Sequence, residues 1–162
     1  MKRSFACLMV GVISLWNAAN SGELPAKLQP FTADSLQMIE KSRKGQPFFI
    51  VLWALDCPPC RKELALLGQF HRRDESLPLV LISTDDANQS REVMAVLEKY
   101  ALAGVDNWIF ADSYMERLRY VIDPHWYGEL PRSYFYDRDH TRKAFSGILK
   151  EQELKDWLLE IK

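Results

Sequence analysis

Cysteine, glycine and histidine are all scarce in this 162-residue chain, at 3, 7 and 3 copies, and neither sign of charge prevails, with 21 basic and 22 acidic side chains giving a formal charge of -1. Seven glycines and 8 prolines are too few for a collagen-like or low-complexity chain. A content of 48% hydrophobic and 12% aromatic residues also disfavours disorder, because such a chain buries enough surface to offset its conformational entropy. Without a basic excess there is no electrostatic footprint for nucleic acid or an anionic membrane, so no nucleic-acid partner is expected. Three cysteines are not a disulfide scaffold. The three histidines, His71, His125 and His140, have neither a second cysteine pair nor the H-x3-5-H spacing that would complete a structural zinc site of about four ligands. No metal or organic cofactor is expected, and one compact domain is the default at this length.

Long apolar runs are missing too, apart from one at the N-terminus. Lys2 and Arg3 precede an apolar stretch from Phe5 to Trp16, which gives way to small and polar residues from Asn17 to Gly22. The stretch falls short of the roughly 20 residues of a membrane-spanning helix. Its pattern is that of a secretory signal, with Ala19-Asn20-Ser21 at the cleavage site. Residues 1–21 are therefore read as a signal peptide and 22–162 as the mature domain, an uncleaved N-terminal anchor being the alternative. Export to the periplasm follows from this reading. Cys7 leaves with the signal, while Cys57 and Cys60 remain in an oxidising compartment.

Along the mature chain, residues 22–31 read as a Pro-containing lead-in, with Thr32 capping a helix that carries Leu36, Met38 and Ile39. Phe48 to Ala54 is a continuous β-prone apolar run, the mark of a strand buried on both faces. From Pro58 to about Phe70 the pattern turns helical, with Cys60, Leu64 and Leu67 on one stripe and Pro58 in the first turn, where a missing N–H costs nothing. A second strand at Leu79 to Ser83, a polar stretch to Ser90 and a helix bearing Val93, Val96, Leu97 and Tyr100 continue a β-α-β-α series. Trp108 to Phe110 forms a short strand, and Met115, Leu118 and Ile122 mark a helix that ends by Asp123, before Pro124. Ser133–Tyr136 and Arg142–Phe145 flank a turn as an antiparallel hairpin, and a last helix carries Leu154, Trp157, Leu158 and Ile161.

The chemistry concentrates at the junction of the first buried strand and its helix. A C-x-x-C pair there lets two sulfurs close a small ring at a helix N-terminus, where unpaired N–H groups and the positive dipole end favour Cys57 as thiolate, with Cys60 one step further in. A structural zinc site and an inert disulfide are the alternatives. Trp53-Ala54-Leu55-Asp56-Cys57-Pro58-Pro59-Cys60, continued by Arg61-Lys62-Glu63, resembles the active site of the thioredoxin superfamily, and within it the exported TlpA-like branch that includes ResA-type and cytochrome c maturation thioredoxins. Gly128-Glu129-Leu130-Pro131, followed by Ser133 to Asp137, resembles that family's cis-proline loop and next strand.

The resemblance implies an α/β thioredoxin-like fold, a central mixed β-sheet flanked by helices on both faces. It implies a protein thiol-disulfide oxidoreductase in which Cys57 attacks and Cys60 resolves. It also implies a cis Pro131 facing the disulfide, which leaves the Leu130 backbone to pair with an extended substrate; Trp53 and Trp126 join these two as expected substrate contacts. Glu63, three residues after Cys60, occupies a position held in the ResA-like branch by a proton-accepting glutamate. The alternative is a surface glutamate balanced by Arg61 or Lys62. Around the loop, His125, Trp126 and Tyr127 either form a substrate-facing rim or pack beneath it.

Departures from the wider superfamily shape the expected direction of the chemistry. Val51 stands where cytoplasmic thioredoxins bury an acid, and Asp56 stands where an aromatic usually precedes the first cysteine. Asp56 opposes thiolate formation at Cys57, and Pro58 and Pro59 remove two N–H donors. Arg61 and Lys62 act the other way. A thiolate that is less favoured makes the disulfide a weaker oxidant, which leans toward a reductase. The implied partners are an exported client, such as an apocytochrome c or a copper-site protein, and a membrane electron donor of the DsbD or CcdA type, with the protein itself a monomer. The rival readings are a Sco-like copper chaperone, which would use C-x-x-x-C and a distant His, and a redox-inactive binding module.

Overall fold

The computed structural model describes residues 28–161. The expected signal peptide, Cys7 and the first residues of the expected mature domain lie outside these. Six strands form one sheet in the order β1-β4-β3-β2-β5-β6: β1 (Leu28–Phe31), β2 (Phe48–Trp53), β3 (Leu79–Asp86), β4 (Asp106–Phe110), β5 (Arg132–Tyr136) and β6 (Arg142–Ser146). β1, β4, β3 and β2 run parallel, and β5 and β6 complete the sheet antiparallel. Five helices connect them: α1 (Ser35–Ser42), α2 (Pro58–Arg73), α3 (Ser90–Lys99), α4 (Met115–Ile122) and α5 (Glu151–Glu160). Among the described residues no helix is long and apolar enough to cross a membrane.

Strand alternation divides the core between the two faces of the sheet, since successive side chains point oppositely. Phe49, Val51 and Trp53 of β2 join Leu79, Leu81 and Phe135 under α2, α3 and α5, where Cys60, Leu64, Leu67, Val93, Leu97 and Leu154 pack. Phe48, Ile50 and Leu52 join Val80, Ile82, Tyr134 and Tyr136 on the opposite face against Leu36 and Ile39 of α1 and Leu118 and Ile122 of α4. The mixed sheet with helices on both faces is the architecture expected from the sequence.

Three expectations need correction. The lead-in contains a strand, because Leu28–Phe31 pairs with Asn107–Phe110 at the sheet edge, where Pro30 can sit without a donor; a proline and two exposed residues in four mask the pattern. Thr32 does not cap α1, whose N-cap is Asp34; Thr32 instead donates its backbone N–H to Ser35 Oγ at 2.8 Å. β3 also runs further than Ser83, past an irregularity between Ser83 and Asp86.

α2, which carries the cysteine pair, is seated against α3 through Gly68. A Cβ on Gly68 would overlap the backbone carbonyl of Tyr100, just past the end of α3. Helix propensity alone would make Gly68→Ala a gain of about 1 kcal/mol. The overlap reverses the sign. Gly68→Ala is expected to lower the urea midpoint, with a net loss of about 1–3 kcal/mol, the size of an overpacking defect.

Candidate active site

β2 delivers its last residue, Trp53, to the edge of the core, and the chain then crosses three residues to Cys57. Cys57 is the N-cap of α2, with Pro58 and Pro59 in the first turn, so the first free amide of the helix belongs to Cys60. That N–H donates to Cys57 Sγ at 3.2 Å, and the two sulfurs are joined as a disulfide. Cys57 is 6% exposed and Cys60 0% exposed. Cys57 is thus the less enclosed of the two, on a helix whose second cysteine faces the core.

The approach to Cys57 is pinned at the Leu55 peptide. Its N–H donates to both carboxylate oxygens of Asp85, at 2.9 and 3.2 Å, and its carbonyl accepts from Arg61 Nη2 at 2.9 Å. Asp85 is itself held by Ser83 Oγ, which donates to Oδ2 at 2.6 Å. In the sequence Asp85 stands only as part of a polar stretch, its one signal being an acid just past the buried part of a strand paired with the cysteine-bearing one. Arg61, expected to favour a thiolate by its charge, is engaged in this backbone bond. Asp56 is exposed.

Glu63 is fully buried and its partners are neutral, which settles against the surface reading. Ser133 Oγ donates to Oε1 at 3.2 Å and the Leu149 N–H donates to Oε2 at 3.3 Å. Burial pushes its carboxyl from 4.5 up to about 7, against the smaller opposing pull of the Leu149 and Ser133 hydrogen bonds. It lies one turn from Cys60 on the same helix. Val51, at the position of the usual buried acid, packs in the same core face as both cysteines.

The Leu130–Pro131 bond is cis. Register places it at the cysteine end of the sheet, because Arg132 pairs with Leu52 and the residues before it therefore continue alongside the end of β2. Leu130 packs, partly buried, against the cluster that holds Cys57 and Cys60. Of the expected substrate contacts, Trp53 is 1% exposed and Trp126 is 5% exposed, with the Trp126 indole N–H donated to the Glu129 carbonyl at 2.8 Å, so Trp126 packs beneath its loop. The neighbours His125 and Tyr127 point outward. The histidines sit apart, with His140 against the Arg43 carbonyl, His125 beside Asp123 and His71 near Gly104. Among the described residues no three His, Cys, Asp or Glu converge.

No protein-family model matches this sequence, and no curated protein does. Structural similarity is extensive. A secreted Mycobacterium tuberculosis disulfide oxidoreductase, homologous to E. coli DsbE, superposes with a TM-score of 0.59 at 22% identity, over 74% of this chain and 85% of that one. The dsbF protein of MTB gives 0.56 at 20% identity over 86% of this chain and 100% of its own. A thiol:disulfide interchange protein of the thioredoxin family from Chlorobium tepidum TLS gives 0.59 at 16% identity, over 75% and 83%. The fold is thus thioredoxin-like, as the two motifs implied.

The pH dependence of stability follows from Glu63. Between 4.5 and about 7 the folded protein holds a proton that the unfolded chain releases, so stability falls as pH rises through this window and levels off above it. At 1.36 kcal/mol per pH unit the fall amounts to about 3 kcal/mol. Glu63→Gln has no such proton to lose. Urea denaturation of the oxidised protein should show its stability gaining on the parent by about that amount between pH 4.5 and 8.

Proposed function

We propose that this thioredoxin-like chain is an exported thiol-disulfide oxidoreductase that reduces protein disulfides through Cys57 and Cys60. The observation that carries the reading is the asymmetry of the pair: a helix-capping cysteine that keeps 6% exposure, and a fully closed one a helical turn from a buried carboxyl whose pKa sits near neutrality. In the reduced protein the Cys57 thiolate attacks one sulfur of the client disulfide. The Cys57–client S–S bond forms as the client's own bond breaks, and the departing client thiolate takes up a proton. Cys60 then gives its proton to Glu63 and attacks Cys57 Sγ, releasing the second client thiolate and leaving the Cys57–Cys60 disulfide. The two electrons that reduced the client came from this pair. They are restored by reverse exchange with a membrane dithiol donor of the DsbD or CcdA type.

The substrate is an exported protein, with apocytochrome c and copper-site proteins as candidate clients, and the compartment is the periplasm. The Leu130 backbone beside Pro131 receives the extended client segment. The reducing direction is supported by exposed Asp56 next to Cys57 and by Pro58 and Pro59, which leave the Cys60 amide as the first helix donor to the sulfur. These features hold the thiolate less firmly than a row of free N–H groups would.

Purified protein with dithiothreitol should reduce insulin, and Cys57→Ser should abolish that activity. Cys60→Ser should instead accumulate a mixed disulfide, visible as a covalent adduct on non-reducing gels. The pair's potential should fall nearer the thioredoxin value of about -270 mV than the DsbA value of about -120 mV. An active Cys57→Ser protein would overturn the mechanism, and a DsbA-like potential would overturn the direction.

A further inference from the structure

The sheet ends on β6, and the outer side of that strand is open. At the two ends of the β5–β6 ladder, the Asp137 N–H donates to the Thr141 carbonyl at 3.2 Å and the Gly147 N–H to the Pro131 carbonyl at 2.9 Å. Bonded and non-bonded pairs alternate in an antiparallel ladder, so Lys143 and Phe145 make the inward bonds, opposite Phe135 and Ser133. The N–H and C=O groups of Arg142, Ala144 and Ser146 therefore face outward, and no other described residue bonds to them. The opposite edge differs, because β1 contains Pro30, which has no N–H to offer. Charge is a usual guard of an open edge. Here the Arg142 guanidinium is turned to the far face of the sheet, over the Tyr134 ring at 4.6 Å and donating Nη1 to the Ile122 carbonyl at 2.6 Å.

A groove of about 660 Å³ lies between β6 and α5. Phe135, Phe145 and Trp157 give it aromatic surface, with the Phe135 and Trp157 rings 5.1 Å apart. Glu153, Asp156 and Glu160 share the Trp157 face of α5 at helical spacing, and Asp137 joins them from the hairpin turn. With Arg142 turned away, these four carboxylates meet one cation on the groove face, Lys143, which stands opposite Phe135. None of the four forms an ion pair with a described residue. Their donors are neutral: the Lys150 N–H to Glu153 at 2.9 Å, Gln152 Nε2 to Asp156 at 2.7 Å and the Thr141 N–H to Asp137 at 2.8 Å. An extended segment added to β6 would lie about 4.8 Å from it and set every second side chain over the groove. There an apolar side chain finds aromatic surface to cover, and a basic one finds carboxylates that lack a counter-charge.

We propose that the open edge of β6 and the groove beside it are a docking site for an extended, basic segment of a partner protein, which adds a strand to the sheet and turns alternate basic and apolar side chains into the groove. The row of outward N–H and C=O groups sets the extended form, since main-chain bonds carry affinity in strand addition while pockets for alternate side chains carry specificity. The excess of four carboxylates over one cation sets the sign of the segment's charge. The site draws on no residue of the cysteine loop or of the Leu130–Pro131 approach, so it binds a partner whether or not disulfide exchange takes place. β6 itself begins with Arg142 and Lys143, which makes a second copy of this chain the rival occupant.

The probe is the peptide acetyl-Lys-Thr-Leu-Thr-Lys-Thr-amide, whose alternation puts both lysines and the leucine on one side of a strand. Titrated into isotopically labelled protein and followed by NMR, it should saturably shift the Arg142, Ala144 and Ser146 amides and the Trp157 indole, and slow hydrogen exchange at those three amides. Acetyl-Glu-Thr-Leu-Thr-Glu-Thr-amide should not saturate. In a protein carrying both Asp156→Asn and Glu160→Gln the lysine peptide should bind about fivefold more weakly, the size of two exposed ion pairs. Both side chains are exposed, so their replacement leaves the fold intact. No saturable binding at millimolar peptide overturns the site, and binding that leaves exchange at the three amides unchanged overturns strand addition. Equal binding of the two peptides, or undiminished binding by the double variant, overturns the basic partner. A parent protein that sediments as a dimer, dispersed by Ala144→Pro, gives the edge to a second copy and likewise overturns the proposal.

Discussion

Everything at the cysteine end depends on where β2 lies. Its six residues are all buried, three against each half of the core, and it pairs parallel with β3 on one side and antiparallel with β5 on the other. A slip of one residue in either ladder would turn Phe49, Val51 and Trp53 toward the wrong helices. The register is thus fixed by burial on both faces. Once fixed, it brings three chain segments to one place: the cysteine loop that follows β2, the Asp85 end of β3 that clamps it, and the Leu130–Pro131 approach to β5. The site is assembled by the core, with its last few hydrogen bonds made locally.

Two buried carboxylates flank this site and are held in opposite ways. Burial pushes the Asp123 carboxyl up, but the bonds from the His125 N–H, Tyr134 and Arg132 and the charge of Arg142 outweigh it, so it remains an anion and contributes stability that is lost as pH falls through its depressed pKa. Glu63 has a hydroxyl and an amide for company, and desolvation dominates, so it keeps its proton up to about neutral pH. One is a fixed charge that shapes backbone; the other is a titrating group one helical turn from Cys60. Their sequence neighbourhoods would not predict which is which, since Glu63 follows Arg61 and Lys62 and Asp123 precedes Pro124.

Legibility followed the physical range of each interaction. The strands and helices that carry long apolar patterns were readable, β2 and α2 best of all, because burial writes itself into consecutive residues. β1 was not, since four residues containing a proline offer no period to detect, and its strand character comes from pairing with β4, some 79 positions away at Leu28 and Asn107. The cysteine pair and Pro131 were visible because their spacing is local. Asp85 and the Asp123–Arg132 network were not, for they depend on which polar residue a bulge or a loop turns inward.

The closure of Cys60 has a consequence for timing. With its sulfur at 0% exposure, Cys60 is closed to thiols from the surroundings, so in the reaction proposed above its attack on a client attached through Cys57 is an encounter within the protein, between sulfurs three residues apart. Outside thiols shorten that attachment only by attacking the mixed disulfide itself, whereas the protein's own resolving step need not wait to meet a second molecule.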